Sequence, residues 1–158
     1  MNRCCDDVSR LVPHSGTMCL LDRVETWDET HIVCRATSHL QPDNPLRDDS
    51  GLRAICAIEY GAQAIAAHAT LLGNDHGDGV TDGVLASVRN ITTMMSHMDR
   101  LRGPLTIVAT LQLSHQQGRI YDVTVTGDER TVLTGRLSVM LQPQSPGQAS
   151  HISCEGAA

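Results

Sequence analysis

His14 follows Pro13 near the N-terminus, and far downstream Glu59 stands in the apolar segment Ala57-Ile58-Glu59-Tyr60-Gly61-Ala62-Gln63. A free imidazole titrates close to neutrality, at about 6.5, so it takes up a proton without further tuning. Apolar surroundings favour the protonated form of a carboxyl, which is the form that donates. One group that removes a proton and one that supplies it are the equipment of an acid–base lyase. Gln63, one helical turn after Glu59, falls on the same face and is a candidate to hold the carboxyl or a substrate by hydrogen bonding.

These residues need elements to carry them. Residues 19–27 and 31–38 are apolar and β-branched, and the polar turn Asp28-Glu29-Thr30 between them predicts a hairpin. Residues 41–51 are rich in Pro, Asp and Asn and predict a loop. From 54 to 72, Ile58, Ala62, Ile65, Ala69 and Leu72 recur at steps of three and four, which predicts a helix that Gly73 stops. The same span holds seven alanines and Gly61, so a backbone must approach this helix closely. The helix opening near Ala54 offers unpaired N–H groups that could polarise a carbonyl.

The stretch 73–83 predicts a flexible connection. It is a poor calcium loop, because Leu85 stands where the bidentate Glu counted from Asn74 belongs. Strands follow at 84–93, 106–115, 119–126 and 131–141, with alternation clearest around Ile107 and Tyr121. Pro143, Ser145, Pro146 and Gly147 predict a flexible tail over 142–158. The expected architecture is one α+β domain over residues 1–141, with two strands, one long helix and four antiparallel strands wrapped around it.

Composition narrows the function. The length of 158 residues suits one core. A formal charge of −6, with one Trp, two Tyr and no Phe, argues against a nucleic-acid surface. All twelve basic residues are Arg, which excludes lysine nucleophiles and Schiff bases. The six cysteines lack framework or zinc spacing and predict free thiols in a reducing compartment. The apolar segment is interrupted by Glu59, Gln63 and His68, and the N-terminus lacks a signal-peptide core, so no membrane span and a cytoplasmic location are expected.

The order of elements, Pro13-His14 followed by Met18, Asp22 and Arg23, and Glu59-Tyr60-Gly61-Ala62-Gln63 on the helix together resemble the hotdog-fold 3-hydroxyacyl-[acyl-carrier-protein] dehydratases. The family's first motif is Pro-His-x-x-Pro-Phe-x-x-x-Asp-Arg, and Thr17 and Met18 replace its second Pro and its Phe. Tyr60 follows the helix Glu, a variant similar to the aryl-polyene and fatty-acid-like branch, and Ala54 stands where the family places a helix-opening Gly. The resemblance implies His14 as the base at C2 of a 3-hydroxyacyl thioester and Glu59 as the acid at the C3 hydroxyl, giving a trans-2-enoyl thioester. It also implies an acyl-carrier protein as partner, no cofactor or metal, and a site shared across a homodimer or a heterodimer with another hotdog subunit.

Each residue also has a structural reading. His14 could be a surface histidine, Glu59 could pair with Arg89, and Gln63 could serve packing. Asp22 and Arg23 are expected to fix the first strand, and His68, on another side of the helix, to be packed or at the surface. Met94, Met95 and Met98 are candidates to line an acyl tunnel or to fill the core, and Arg100 and Arg102 to meet the acidic carrier. Two other functions fit the same fold. One is an acyl thioesterase, which needs the helix carboxylate but not Pro-His. The other is a non-catalytic hotdog subunit of a dehydratase complex.

Overall fold

Period-two alternation produces a sheet with one buried face, and the computed structural model, which describes residues 3–5, 7–76 and 83–141, has that sheet curled around one helix. The strands are β1 (Arg3–Cys5), β2 (Arg23–Trp27), β3 (His31–Ala36), β4 (Gly83–Thr93), β5 (Leu105–His115), β6 (Gly118–Gly127) and β7 (Arg130–Leu141). They form one antiparallel sheet in the order β1-β2-β3-β5-β6-β7-β4. The helix, α1 (Ala57–His76), enters through a 3₁₀ turn at Ala54–Cys56. The α+β hotdog architecture expected from the sequence is the one observed.

Turn chemistry sets the registers. In the β2–β3 turn the Asp28 carboxylate accepts the Thr30 and His31 backbone N–H groups at 2.7 and 3.0 Å. Those bonds, the one from Thr30 foremost, hold its carboxyl well below the usual range. At the β6–β7 turn Asp128 and Glu129 both have positive φ, 49° and 58°, the backbone of a primed hairpin turn. The Asp128 carboxylate then accepts the Arg102 and Gly103 N–H groups, tying the preceding loop to this turn.

The structure departs from the sequence reading at several points. Helix α1 continues through Gly73 to His76. Gly73 is buried, and packing outweighs its propensity cost of about 1 kcal/mol. The first long strand begins at Arg23 rather than at 19, because Gly16–Met18 forms a 3₁₀ turn and Leu20 donates its N–H to the Gln63 side chain instead of to a ladder. The N-terminal strand β1, which pairs with β2, was not expected from the sequence. The connection at 77–82 and the tail at 142–158 lie outside the described residues.

The core lies between the inner face of the sheet and α1. Ile32, Cys34, Ile107, Tyr121, Val123, Val125 and Leu137 pack against Ala57, Tyr60, Ala64, Ile65 and Ala67, all buried. Burial pushes the Cys34 thiol up to about 12, and Cys19, Cys34 and Cys56 are free thiols. His68 is fully buried, with Nε2 2.7 Å from the Asp28 carbonyl and Nδ1 3.0 Å from the Tyr121 hydroxyl. A carbonyl only accepts, so Nε2 carries the proton and Nδ1 accepts from Tyr121. Of the two expectations for His68, the packed one holds.

The close approach signalled by small residues occurs at Gly61, where a Cβ would stand 2.7 Å from Cγ1 of Val123 on β6. Alanine at a helix interior usually stabilises by about 1 kcal/mol over glycine. Gly61→Ala is expected instead to destabilise by about 1–3 kcal/mol, because the stiff, buried valine must move. The denaturation midpoint in urea checks this, and a midpoint raised by the substitution would overturn it.

Candidate active site

Residues 10–14 lead from the 3₁₀ turn Val8–Arg10 across one face of α1, and this crossing brings His14 to the helix. His14 Nε2 lies 3.4 Å from Glu59 Oε1, with the side chains 34% and 30% exposed. The sequence expectation of a carboxyl enclosed by alanines is therefore corrected, since Glu59 opens onto space. Both residues line a cavity of about 410 Å³, walled by α1, by the segment around Leu11 and by β4 and β7. His14 Nδ1 is buried and has no hydrogen-bond partner among the described residues, so the ring meets the protein's polar groups through Nε2 at Glu59.

The site meets within one chain. Within this chain His14 and Glu59 stand 3.4 Å apart, so their approach does not require a second subunit. Nor does Glu59 pair with Arg89. Arg89 sits on the exposed strand β4, and the partners of Glu59 are His14 and, at 3.3 Å, Gln63.

Gln63 explains why His14 arrives there. Its Nε2 donates to the Met18 carbonyl at 2.6 Å, and its Oε1 accepts the Leu20 N–H at 2.9 Å. The amide thus clamps the chain just downstream of His14 onto α1, one turn from Glu59. Gln63→Ala leaves a buried N–H and a carbonyl without partners and is expected to cost about 2–4 kcal/mol of stability. Circular dichroism during urea titration measures that loss, and a variant as stable as the parent would show the clamp to be dispensable.

The remaining motif residues are structural. The buried Tyr60 hydroxyl meets Ser38 at 2.8 Å and Asn44 at 3.1 Å, anchoring the loop that precedes α1. Asp22 accepts the Thr37 hydroxyl at 2.8 Å and donates its own N–H to the Arg35 carbonyl, which fixes β2 against β3 as the sequence suggested. Among the described residues the Arg23 guanidinium meets Glu25 at 3.9 Å.

Two candidates do not join the site. The Ala54 N–H is spent on the Ser96 carbonyl at 2.9 Å, and the residue is buried outside the cavity wall, so it is no free oxyanion donor. Met94 follows β4, is 63% exposed and does not line the cavity. Met98 is core, and Met95 packs against the core. Arg100 and Arg102 are exposed in the loop before β5, away from the cavity wall. What the sequence reading missed is the wall itself: Leu11, Ile65, Ala66, Thr70, Leu85 and Val139. The spacing of Ala62, Ala66 and Ala69 was a signal, but it was assigned wholly to close packing against the sheet.

A sheet wrapped around one long helix, with His14 and Glu59 facing each other over an apolar cavity, places the chain among hotdog-fold proteins of the dehydratase type. It belongs to the ApeP-like family, described as ApeP dehydratase, whose model matches residues 6–151. Among solved structures, the dehydratase heterocomplex ApeI:P from Xenorhabdus doucetiae contains a similar chain, with a TM-score of 0.76, 23% identity, and coverage of 87% of this chain and 91% of that one. AziG of S. sahachiroi is similar at a TM-score of 0.61 and 17% identity, covering 84% of this chain and 98% of that one. A hypothetical thioesterase with coenzyme A from Streptococcus pneumoniae TIGR4 aligns at a TM-score of 0.57 and 19% identity, covering 77% and 85%. No curated protein sequence matches the chain. At these identities the structural likenesses establish the fold.

The family also accounts for the apolar helix. Residues Ala54–Asn74 are long and apolar enough to cross a membrane, but most of that helix is buried inside the protein, as the core helix of this fold is.

Proposed function

We propose that the protein is a lyase that removes water from a 3-hydroxyacyl thioester carried on an acyl-carrier protein, giving the trans-2-enoyl thioester. The observation that carries this reading is the 3.4 Å approach of His14 Nε2 to Glu59 Oε1 at one end of an apolar cavity. His14 Nε2 takes the proton from C2, and the C–H electron pair becomes the C2=C3 double bond. The C3 hydroxyl leaves as water with the proton supplied by Glu59. Proton exchange between two groups already in contact then resets the pair, and hydration of the enoyl product uses the same groups with roles reversed. These steps draw only on side chains of this chain.

A chain built this way serves fatty-acid-like or aryl-polyene-like assembly in the cytoplasm, a compartment in which Cys19, Cys34 and Cys56 stay reduced. Its partner is another hotdog subunit, and the support for that lies on β4. This strand ends the sheet, exposes Val84, Leu85 and Val88, and carries Arg89 as its single charge. A long apolar edge with so little charge is a surface for strand addition. The likeness to a chain of the ApeI:P dehydratase heterocomplex supports a second, different hotdog chain as that partner.

The thioesterase reading has its own support in the likeness to thioesterase structures. Water attacking the thioester would need Glu59 but would leave His14 without a task. Incubating the protein, alone and with a co-expressed hotdog partner, with 3-hydroxyacyl-carrier-protein thioesters separates the readings by mass spectrometry. Loss of water with the thioester intact is the expected result. Release of free carrier thiol would replace the lyase with a hydrolase, and turnover only by the partner's own site would make this chain a supporting subunit.

A further inference from the structure

We propose that Ala66 and Ala69 set the length of the apolar tail that the protein accepts, by keeping open a groove that runs along α1 away from His14 and Glu59. The chemistry at the reacting end rests on the dehydratase reading above, while the groove is a property of the fold.

The direction of the groove follows from two contacts. The N-terminal segment passes along α1 in the opposite sense to the helix. The Leu11 carbonyl accepts the Thr70 hydroxyl at 3.1 Å, and three residues later His14 meets Glu59 at 3.4 Å. The cavity of about 410 Å³ between them therefore has a polar end at His14 and Glu59 and a far end at Thr70, where Arg10 also lines it with its guanidinium paired to Asp7 at 3.2 Å. The ten-residue step from Glu59 to Ala69 spans about 15 Å at the helical rise.

One wall is a helix face of alanines at i, i+4 and i+7, namely Ala62, Ala66 and Ala69, and Leu85 of β4 and Val139 of β7 also line the cavity. The Thr70 hydroxyl is spent on the Leu11 and Ala66 carbonyls. A polar tail would lose its hydrogen bonds to water along this wall, whereas a hydrocarbon tail gains by burial. A short acyl group fills only the polar end. Each further methylene buried favours the longer substrate by roughly fourfold. Ala62 stands beside the reacting pair and Ile65 is already large, so Ala66 and Ala69 are the positions where added bulk shortens the groove without touching the chemistry.

The test compares kcat/KM for 3-hydroxydecanoyl and 3-hydroxybutyryl carrier-protein thioesters in the parent, Ala66→Leu and Ala69→Leu, with thermal melting to show that each variant folds. The parent is expected to prefer the decanoyl substrate, and the decanoyl-to-butyryl ratio to fall by about tenfold or more in the variants. Ala69→Val, with a smaller side chain, keeps the comparison available if a leucine variant does not fold. A ratio within about twofold of the parent in folded variants, or a parent with no length preference, overturns the proposal.

Binding of decanoyl-pantetheine, a saturated thioester without the 3-hydroxyl, is measured by calorimetry in parallel. If the parent dehydrates neither substrate but binds this ligand and Ala66→Leu does not, the lyase reading fails and the groove stands. If the parent does not bind it, the groove fails whatever the chemistry.

Discussion

His14→Ala and Glu59→Gln are each expected to lower kcat for dehydration of a 3-hydroxyacyl-carrier thioester by about a hundredfold or more, the scale at which a positioned general base or acid acts. The two variants test different halves of one proton circuit. Alanine removes the acceptor for the C2 proton. Glutamine keeps the shape of Glu59 and its contact with the Gln63 amide but has no carboxyl proton to give. Both side chains are about a third exposed, so neither change opens the core and both proteins should melt like the parent.

Because the two groups touch, their effects should not multiply. The double variant is expected to be about as slow as the slower single one, since a base without its acid partner completes no turnover. kcat and kcat/KM should fall together, the mark of an interaction made in the transition state. Mass spectrometry of the carrier-bound thioester gives the rates. Full activity in Glu59→Gln would remove Glu59 from the chemistry and leave it a holder of His14.

Acid should unfold this protein early, and two buried histidines are the reason. His68 and His39 are both fully buried. Burial pushes the His68 imidazole below its ordinary value, although its bond to the Asp28 backbone pulls the other way. His39 is lowered by the same cause, against the pull of the Gly103 backbone first and then of Asp128, Asp22 and Asp99. In the unfolded chain both return to about 6.5. Below that pH the unfolded state binds more protons than the folded one, so stability is fully present above about pH 6.5 and is lost as the pH falls. The slope approaches about 1.4 kcal/mol per pH unit for each histidine.

His68→Leu should separate the packing part of this effect from the proton part. It strands the Tyr121 hydroxyl and the Asp28 carbonyl and is expected to cost about 2–4 kcal/mol at neutral pH. The same variant should also flatten the decline in stability between pH 7 and 5, because one of the two protons no longer binds. Urea unfolding at several pH values measures both quantities. A decline as steep in His68→Leu as in the parent would assign the acid sensitivity elsewhere.

How far the site was legible depended on the range of the signal. Pro13-His14 and Glu59 are chemistry-bearing types at unusual places, and their spacings stood out without coordinates. Gln63 was visible as a polar residue one turn from Glu59. Its work as a clamp was not, because Met18 and Leu20 reach it only after the N-terminal segment has folded back on α1. Met94 drew attention because a flexible thioether suits an acyl tunnel and a surface equally well, and within this chain it is exposed and stands apart from the cavity.

From the amino-acid sequence alone came the order of the helix and of the strands other than β1, the wrapped α+β architecture, His14 and Glu59 as the proposed reacting pair, and the exclusion of lysine chemistry. All of these depend on local periodicity, turn residues and residue type, which short stretches of chain encode. Only the tertiary structure decided that His14 and Glu59 meet within one chain, that the Ala54 N–H is already taken, and that one face of alanines borders a cavity while Gly61 presses on Val123. Those outcomes depend on which distant segments land beside each helix face. The periodicity of a helix says which residues share a face, but not whether a sheet, a crossing segment or open space will lie against it.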